Sequence, residues 1–134
     1  PVNPTVGGYH SSAVSLKIPV PEGDGQIGIF TAVDVATGEA LWTYQQRAAI
    51  TGSVLTTGGG LAFVTDDARK FRAFDVDTGE ILWEQILNSS AGGFPTTFSV
   101  DGIQYLAIAA GGGVNHRTLT PEIRQRSGGN MLLP

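Results

Sequence analysis

Of 134 residues, 41% are hydrophobic and 15% charged, with 19 glycines, 7 prolines and no cysteine. That is one domain's length with enough apolar content for a core, which excludes a disordered chain. A net charge of −4 gives no basic footprint for nucleic acid, and the missing cysteines exclude a disulfide framework, a thiolate metal site and a cysteine nucleophile.

Glycine is about twice as frequent as the ~7% average, and aromatic and β-branched residues come in short bursts, so the composition predicts an all-β chain of short strands and tight turns. No apolar run approaches the ~18 residues of a membrane-spanning helix. The opening Pro1-Val2-Asn3-Pro4 has neither an initiator Met nor a signal-peptide pattern, so a soluble, already trimmed chain is expected. Residues 1–26 are rich in Pro, Gly and Ser and read as a loop-rich connection.

Residues 27–57 read as the end of one repeat unit. Their Ala32-Val33-Asp34-Val35-Ala36-Thr37-Gly38-Glu39-Ala40-Leu41-Trp42 recurs 41 residues later as Ala73-Phe74-Asp75-Val76-Asp77-Thr78-Gly79-Glu80-Ile81-Leu82-Trp83, with 8 of 11 positions identical. A period of about 40–45 residues with period-2 alternation is that of a propeller blade, four short strands per unit.

Residues 58–92 read as one complete blade and its connection. Gly58-Gly59-Gly60 is a turn, 61–65 a strand, 66–69 a hairpin and 70–75 the next strand, and 81–85 is the outer strand. In the tight turn at 77–80, Gly79 supplies a positive φ while Asp75, Asp77 and Thr78 hydrogen-bond the exposed backbone. Residues 93–113 begin a final blade, with strands at 94–100 and 103–109 around Asp101-Gly102, a strong hairpin signal. Residues 114–134 read as a polar tail. Two or three blades leave apolar sides open, so the chain is expected to need a partner.

The spaced pattern Ala-x-Asp-x-x-Thr-Gly-x-x-x-Trp at 32–42 and 73–83 resembles the tryptophan-docking motif of the quinoprotein dehydrogenases that use pyrroloquinoline quinone (PQQ). The resemblance continues through Gly58-Gly59-Gly60-Leu61-Ala62-Phe63-Val64, Lys70-Phe71-Arg72-Ala73-Phe74-Asp75, residues 93–107 and the finish Ala109-Ala110-Gly111-Gly112-Gly113, covering roughly 27 to 113. It implies the C-terminal blades of an eight-bladed β-propeller, incomplete without the rest of the ring. In such a ring each docking Trp packs on the neighbouring blade, a structural role for Trp42 and Trp83 that the burial of a large planar side chain also supports.

The resemblance further implies a dehydrogenase with PQQ and Ca2+ on the axis, oxidising an alcohol, sugar or similar hydroxyl compound. Hydride passes to the quinone, calcium polarises it, an aspartate takes the hydroxyl proton, and a cytochrome or membrane quinone accepts the electrons in the periplasm. The metal ligands and the catalytic base would lie outside this chain, which by itself is expected to be inactive and to assign no catalytic or metal residue. Cofactor contact is expected from Ala91, Gly92 and Gly93, in a loop where a flat group can approach a backbone that lacks side chains; a plain inter-blade turn is the alternative. One blade earlier, Ile50-Thr51-Gly52-Ser53 departs from the Trp-Gly-Gly of many methanol- and ethanol-type enzymes, which weighs against the short-chain alcohol subclass. A non-enzymatic propeller that scaffolds protein assembly is the rival function, since such proteins share a similar Thr-Gly-x-x-x-Trp.

Other candidates read more plainly. Asp66-Asp67 is taken as a solvated turn in preference to half of a cation site. His10 and His116 lack ligand spacing, and neither glycine triplet leads into a helix with Lys-Ser or Lys-Thr as a phosphate loop would. Arg117, Arg124 and Arg126 read as a solvated tail, with an acidic partner surface as the alternative.

Overall fold

The structure, a computed structural model, describes residues 25–111 and 120–123, and the backbone of 131–133. Among the described residues, nine strands make three antiparallel sheets. β1 (Gly28–Val33) pairs with β2 (Ala40–Gln46); β3 (Ile50–Thr56), β4 (Leu61–Asp66), β5 (Lys70–Asp75) and β6 (Ile81–Ile86) form a four-stranded meander; β7 (Thr96–Val100), β8 (Ile103–Ile108) and β9 (Met131–Leu133) form the third sheet. The all-β reading and the full four-stranded unit match the expected blade architecture.

The two copies of the repeat fold alike, down to single hydrogen bonds. In the first, the Asp34 carboxylate accepts from the amides of Ala36 and Thr37, and the Thr37 hydroxyl accepts from Glu39 N–H. In the second, Asp75 accepts from Asp77 and Thr78, and Thr78 accepts from Glu80. A short carboxylate and a hydroxyl three residues on thus satisfy a bend whose amides have no strand partner. Both copies also carry a register shift next to their Trp, between Ala32 and Val33 and between Ala73 and Phe74. The extra residue there, Leu41 or Leu82, re-aims the indole beside it.

That aim matters for packing between sheets. The Trp42 indole N–H donates to the Val76 carbonyl at 2.8 Å, and its ring stacks at 9° over Phe74. Gly79, at φ 74°, lies directly beneath: a Cβ there would sit 2.6 Å from the ring. The repeat therefore needs glycine twice over, for the turn and for the approach of the tryptophan. Trp83 meets Phe71 edge-on and remains 40% exposed.

The β4–β5 hairpin at the middle of the central sheet is buried on both faces, whereas β6 at its edge is exposed. One face of the β4–β5 hairpin carries Ala62, Val64 and Phe74, packed against Phe30 and Tyr44 of the first sheet. The other packs Phe71 and Phe63 against Leu87, Ala91, Ile108, Ala110 and Leu106, from the connection and the third sheet. Full burial of Phe71 and Phe74 contributes about 1.5–3 kcal/mol each.

Three boundaries differ from the sequence reading. β3 belongs with β4–β6, so the unit begins at Ile50 rather than at 58: Gly58-Gly59-Gly60 closes a hairpin inside the sheet, with Gly60 N–H bonded to Thr57 O. The stretch 114–134 is not all tail, because Met131–Leu133 adds an edge strand to β8. Phe94 precedes β7 instead of opening it and is 81% exposed, since Pro95 after it has no N–H for a ladder.

Candidate functional site

At one end of the central sheet, the connection from β6 to β7 crosses back over the hairpin to reach β3. Leu87 and Arg69 begin the crossing: Leu87 N–H donates to Arg69 O at 2.8 Å, and the Arg69 guanidinium donates to Leu87 O at 3.2 Å. Ser89, Ser90 and Ala91 are buried. Gly111 N–H from beyond β8 reaches Ser90 O at 3.0 Å, and Ser53 N–H of β3 reaches Gly93 O at 3.3 Å.

The predicted contact residues divide at Ala91. Its methyl is wholly buried in the core cluster, and its carbonyl accepts from the hydroxyls of Thr51 at 3.0 Å and Thr65 at 2.7 Å. Gly92 is exposed, with nothing within 4 Å of where a Cβ would stand, and Gly93 is half-buried beside it. The loop therefore offers Gly92 as open backbone, while Ala91 serves as its anchor. Gly52, at φ 77°, faces Gly93 one repeat further on; a Cβ at Gly52 would lie 2.7 Å from the Gly93 oxygen. Equivalent positions of two units, one at the irregular stretch of β3 and one in the β6–β7 connection, thus meet glycine to glycine at this end. Thr51 and Thr65 carry no site motif in the sequence; the one local signal is a Thr that closes the apolar run Leu61-Ala62-Phe63-Val64.

Asp66 and Asp67 are not solvated; both are fully buried. The Asp66 carboxylate pairs with Arg72 at 2.8 Å, accepts from Lys70 N–H at 2.9 Å and from the Gln46 amide at 3.1 Å. Arg72 also binds Glu84 at 2.7 Å and Gln46 Oε1 at 2.9 Å, and lies 5.7 Å from the Tyr44 ring centroid. Val64 pairs with Arg72 across the hairpin, which puts that guanidinium on the face that meets the first sheet. Spacing alone did not reveal the pair, because Gln46 and Glu84 come from other strands. Burial works against the Arg72 charge, but its hydrogen bond to Glu84 and the charge of Asp66 outweigh it and raise its pKa.

For Glu84, burial pushes the carboxyl up, yet hydrogen bonds from Lys70 and Arg72 hold it below the ordinary value. A lowered folded pKa adds stability above the unfolded value of about 4.3, and that stability is lost as pH falls through the folded value. The Glu84→Gln variant is expected to show a shallower loss of stability with acid, measured as urea midpoints between about pH 6 and 3. Equal acid slopes in both proteins would show that Glu84 does not contribute.

Among the described residues, no group of three His, Cys, Asp or Glu side chains converges to hold a metal. His10, His116, Arg117, Arg124 and Arg126 lie outside the described residues.

A family model for the glucose/ethanol/alcohol dehydrogenase β-propeller domain that carries the label PQQ matches residues 46–106. The chain is similar to the quinoprotein alcohol dehydrogenase PedH of Pseudomonas putida, 34% identical over 69% of this chain. It is also similar to subunit 1 of the methanol dehydrogenase [cytochrome c] of Methylobacterium organophilum, 35% identical over 80% of this chain. It spans 16% and 18% of those two relatives. Among solved structures, a europium-containing methanol dehydrogenase superposes on 62% of this chain and 15% of its own, with TM-score 0.59 and 34% identity. BamB of Moraxella catarrhalis covers 63% of this chain and 24% of its own at TM-score 0.51 and 25% identity. The repeated turn, the docked Trp42 and these likenesses agree: the chain resembles a segment of the β-propeller of the PQQ-dependent quinoprotein dehydrogenases.

Proposed function

We propose that this chain supplies part of the wall of a PQQ site in a dehydrogenase that oxidises an alcohol, sugar or similar hydroxyl compound. The observation that carries this reading is the family match together with Gly92, an exposed glycine between buried Ala91 and half-buried Gly93, both tied to the sheet. That edge fits a flat group on one side, because no side chain stands in its way. When bound, PQQ supplies an electron-accepting quinone.

The chain's own residues bind and orient. Gly92 offers main chain, Ala91 and Gly93 hold it in place, and Phe71, Leu87 and Ile108 exclude water behind it. The metal ligands, Ca2+ as the metal, and the aspartate that removes the hydroxyl proton belong to the remaining blades, as does the route for hydride and for electrons to a cytochrome or membrane quinone. A cytochrome acceptor is supported by the name of the methanol dehydrogenase relative. A periplasmic location rests on the family resemblance. The scaffold reading has only the weaker likeness of fold behind it.

The test is to isolate the intact protein that carries this segment, remove any cofactor, and add PQQ with Ca2+. Uptake of the quinone, seen in the visible spectrum, with dye-linked oxidation of an alcohol or sugar is the expected result. A fully folded protein that takes up no quinone would overturn the reading.

A further inference from the structure

The buried hydroxyl of Thr65 touches two carbonyls, one from β3 and one from the β6–β7 connection. Its Oγ1 stands 2.8 Å from Thr51 O and 2.7 Å from Ala91 O. Thr51 Oγ1 also reaches Ala91 O, at 3.0 Å. All three residues are buried, with Thr65 1% and Ala91 0% exposed. The main chain before Gly92 is therefore held by two hydroxyl donors that converge on one oxygen, a carbonyl with two lone pairs to fill.

A hydroxyl has one proton, so Thr65 either shares it between the two carbonyls or gives it to one at a time. Either way it joins the strand that opens the central sheet to the loop that leads into the next one. The neighbouring Gly52–Gly93 contact leaves no slack, because a backbone oxygen occupies the space a Cβ would fill. A small change at Thr65 should therefore be felt at Gly92.

We infer that Thr65 is a positioning residue for the cofactor-facing loop: its hydroxyl fixes the Ala91 carbonyl and so holds the Gly92 backbone in the orientation that a flat quinone meets. This rests on the reading of the site given above. Thr65→Val keeps the shape and removes the donor, whereas Thr65→Ser keeps the donor and removes a methyl.

The experiment is an equilibrium titration of the intact apoprotein with PQQ in the presence of Ca2+, run alongside thermal unfolding without PQQ. Wild type is expected to bind. Thr65→Val is expected to bind about tenfold more weakly or worse, and Thr65→Ser within about threefold of wild type. The serine variant also covers the case in which the valine variant does not fold. A serine variant that folds yet loses affinity by tenfold or more would overturn the inference, because the methyl would then be what matters. Thr65→Val that binds as wild type does would overturn it while leaving the PQQ reading intact. No binding by wild type would overturn both.

Discussion

Replacing Trp42 by Ala in the intact protein is expected to cost about 3–5 kcal/mol of stability. The ring carries three contacts at once: the stack on Phe74 with centroids 6.1 Å apart, the edge contact with Phe30 at 5.3 Å, and the hydrogen bond to Val76 O. Its loss also uncovers Gly79, which the ring covers in the folded protein. Trp42→Phe restores most of the aromatic packing and leaves the carbonyl without its donor, so it should cost less, about 1–3 kcal/mol. Denaturant unfolding of the three proteins checks the order. A cost below about 1 kcal/mol for Trp42→Ala would mean that the two sheets are held together elsewhere.

The second large effect is expected at Arg72. Arg72→Met leaves the Asp66 carboxylate buried with its counter-charge gone, a situation that typically costs about 3–5 kcal/mol. The double variant Asp66→Asn/Arg72→Met should be more stable than Arg72→Met alone, since the uncompensated charge is then absent. Urea midpoints of the single and double variants decide it. If the double variant is the less stable, Asp66 is held mainly by Lys70 N–H and Gln46, and the arginine is secondary.

Features whose chemistry is local were legible in the sequence. The turns at 34–39 and 75–80 need only an aspartate, a threonine and a glycine at fixed offsets, and the structure builds both the same way. The Asp101-Gly102 hairpin is likewise local, with both residues at positive φ. The docked tryptophan followed from the family pattern. Features that depend on distant strands were not legible. Asp66 looked like an exposed turn residue because Arg72, Gln46 and Glu84 assemble around it only when β2, β5 and β6 come together. The unit starts at Ile50 and not at 58, because a glycine triplet marks a tight turn but not whether that turn lies within a sheet or between two. Ala91 and Gly92 looked equivalent in a run of small residues, and only the packing of Ile108 and Phe71 shows that the alanine faces inward.

The tryptophan contact also has a direction. Trp42 binds forward, to a carbonyl 34 residues further along the chain, and the partner turn is complete only at Gly79. As the chain leaves the ribosome, the first unit must therefore wait for the second before the Trp42 indole is covered. Such short sequence separations favour rapid, stepwise growth from the first unit onward. A chain stalled before Gly79 would therefore leave the Trp42 ring open to solvent, a face that the finished second unit seals.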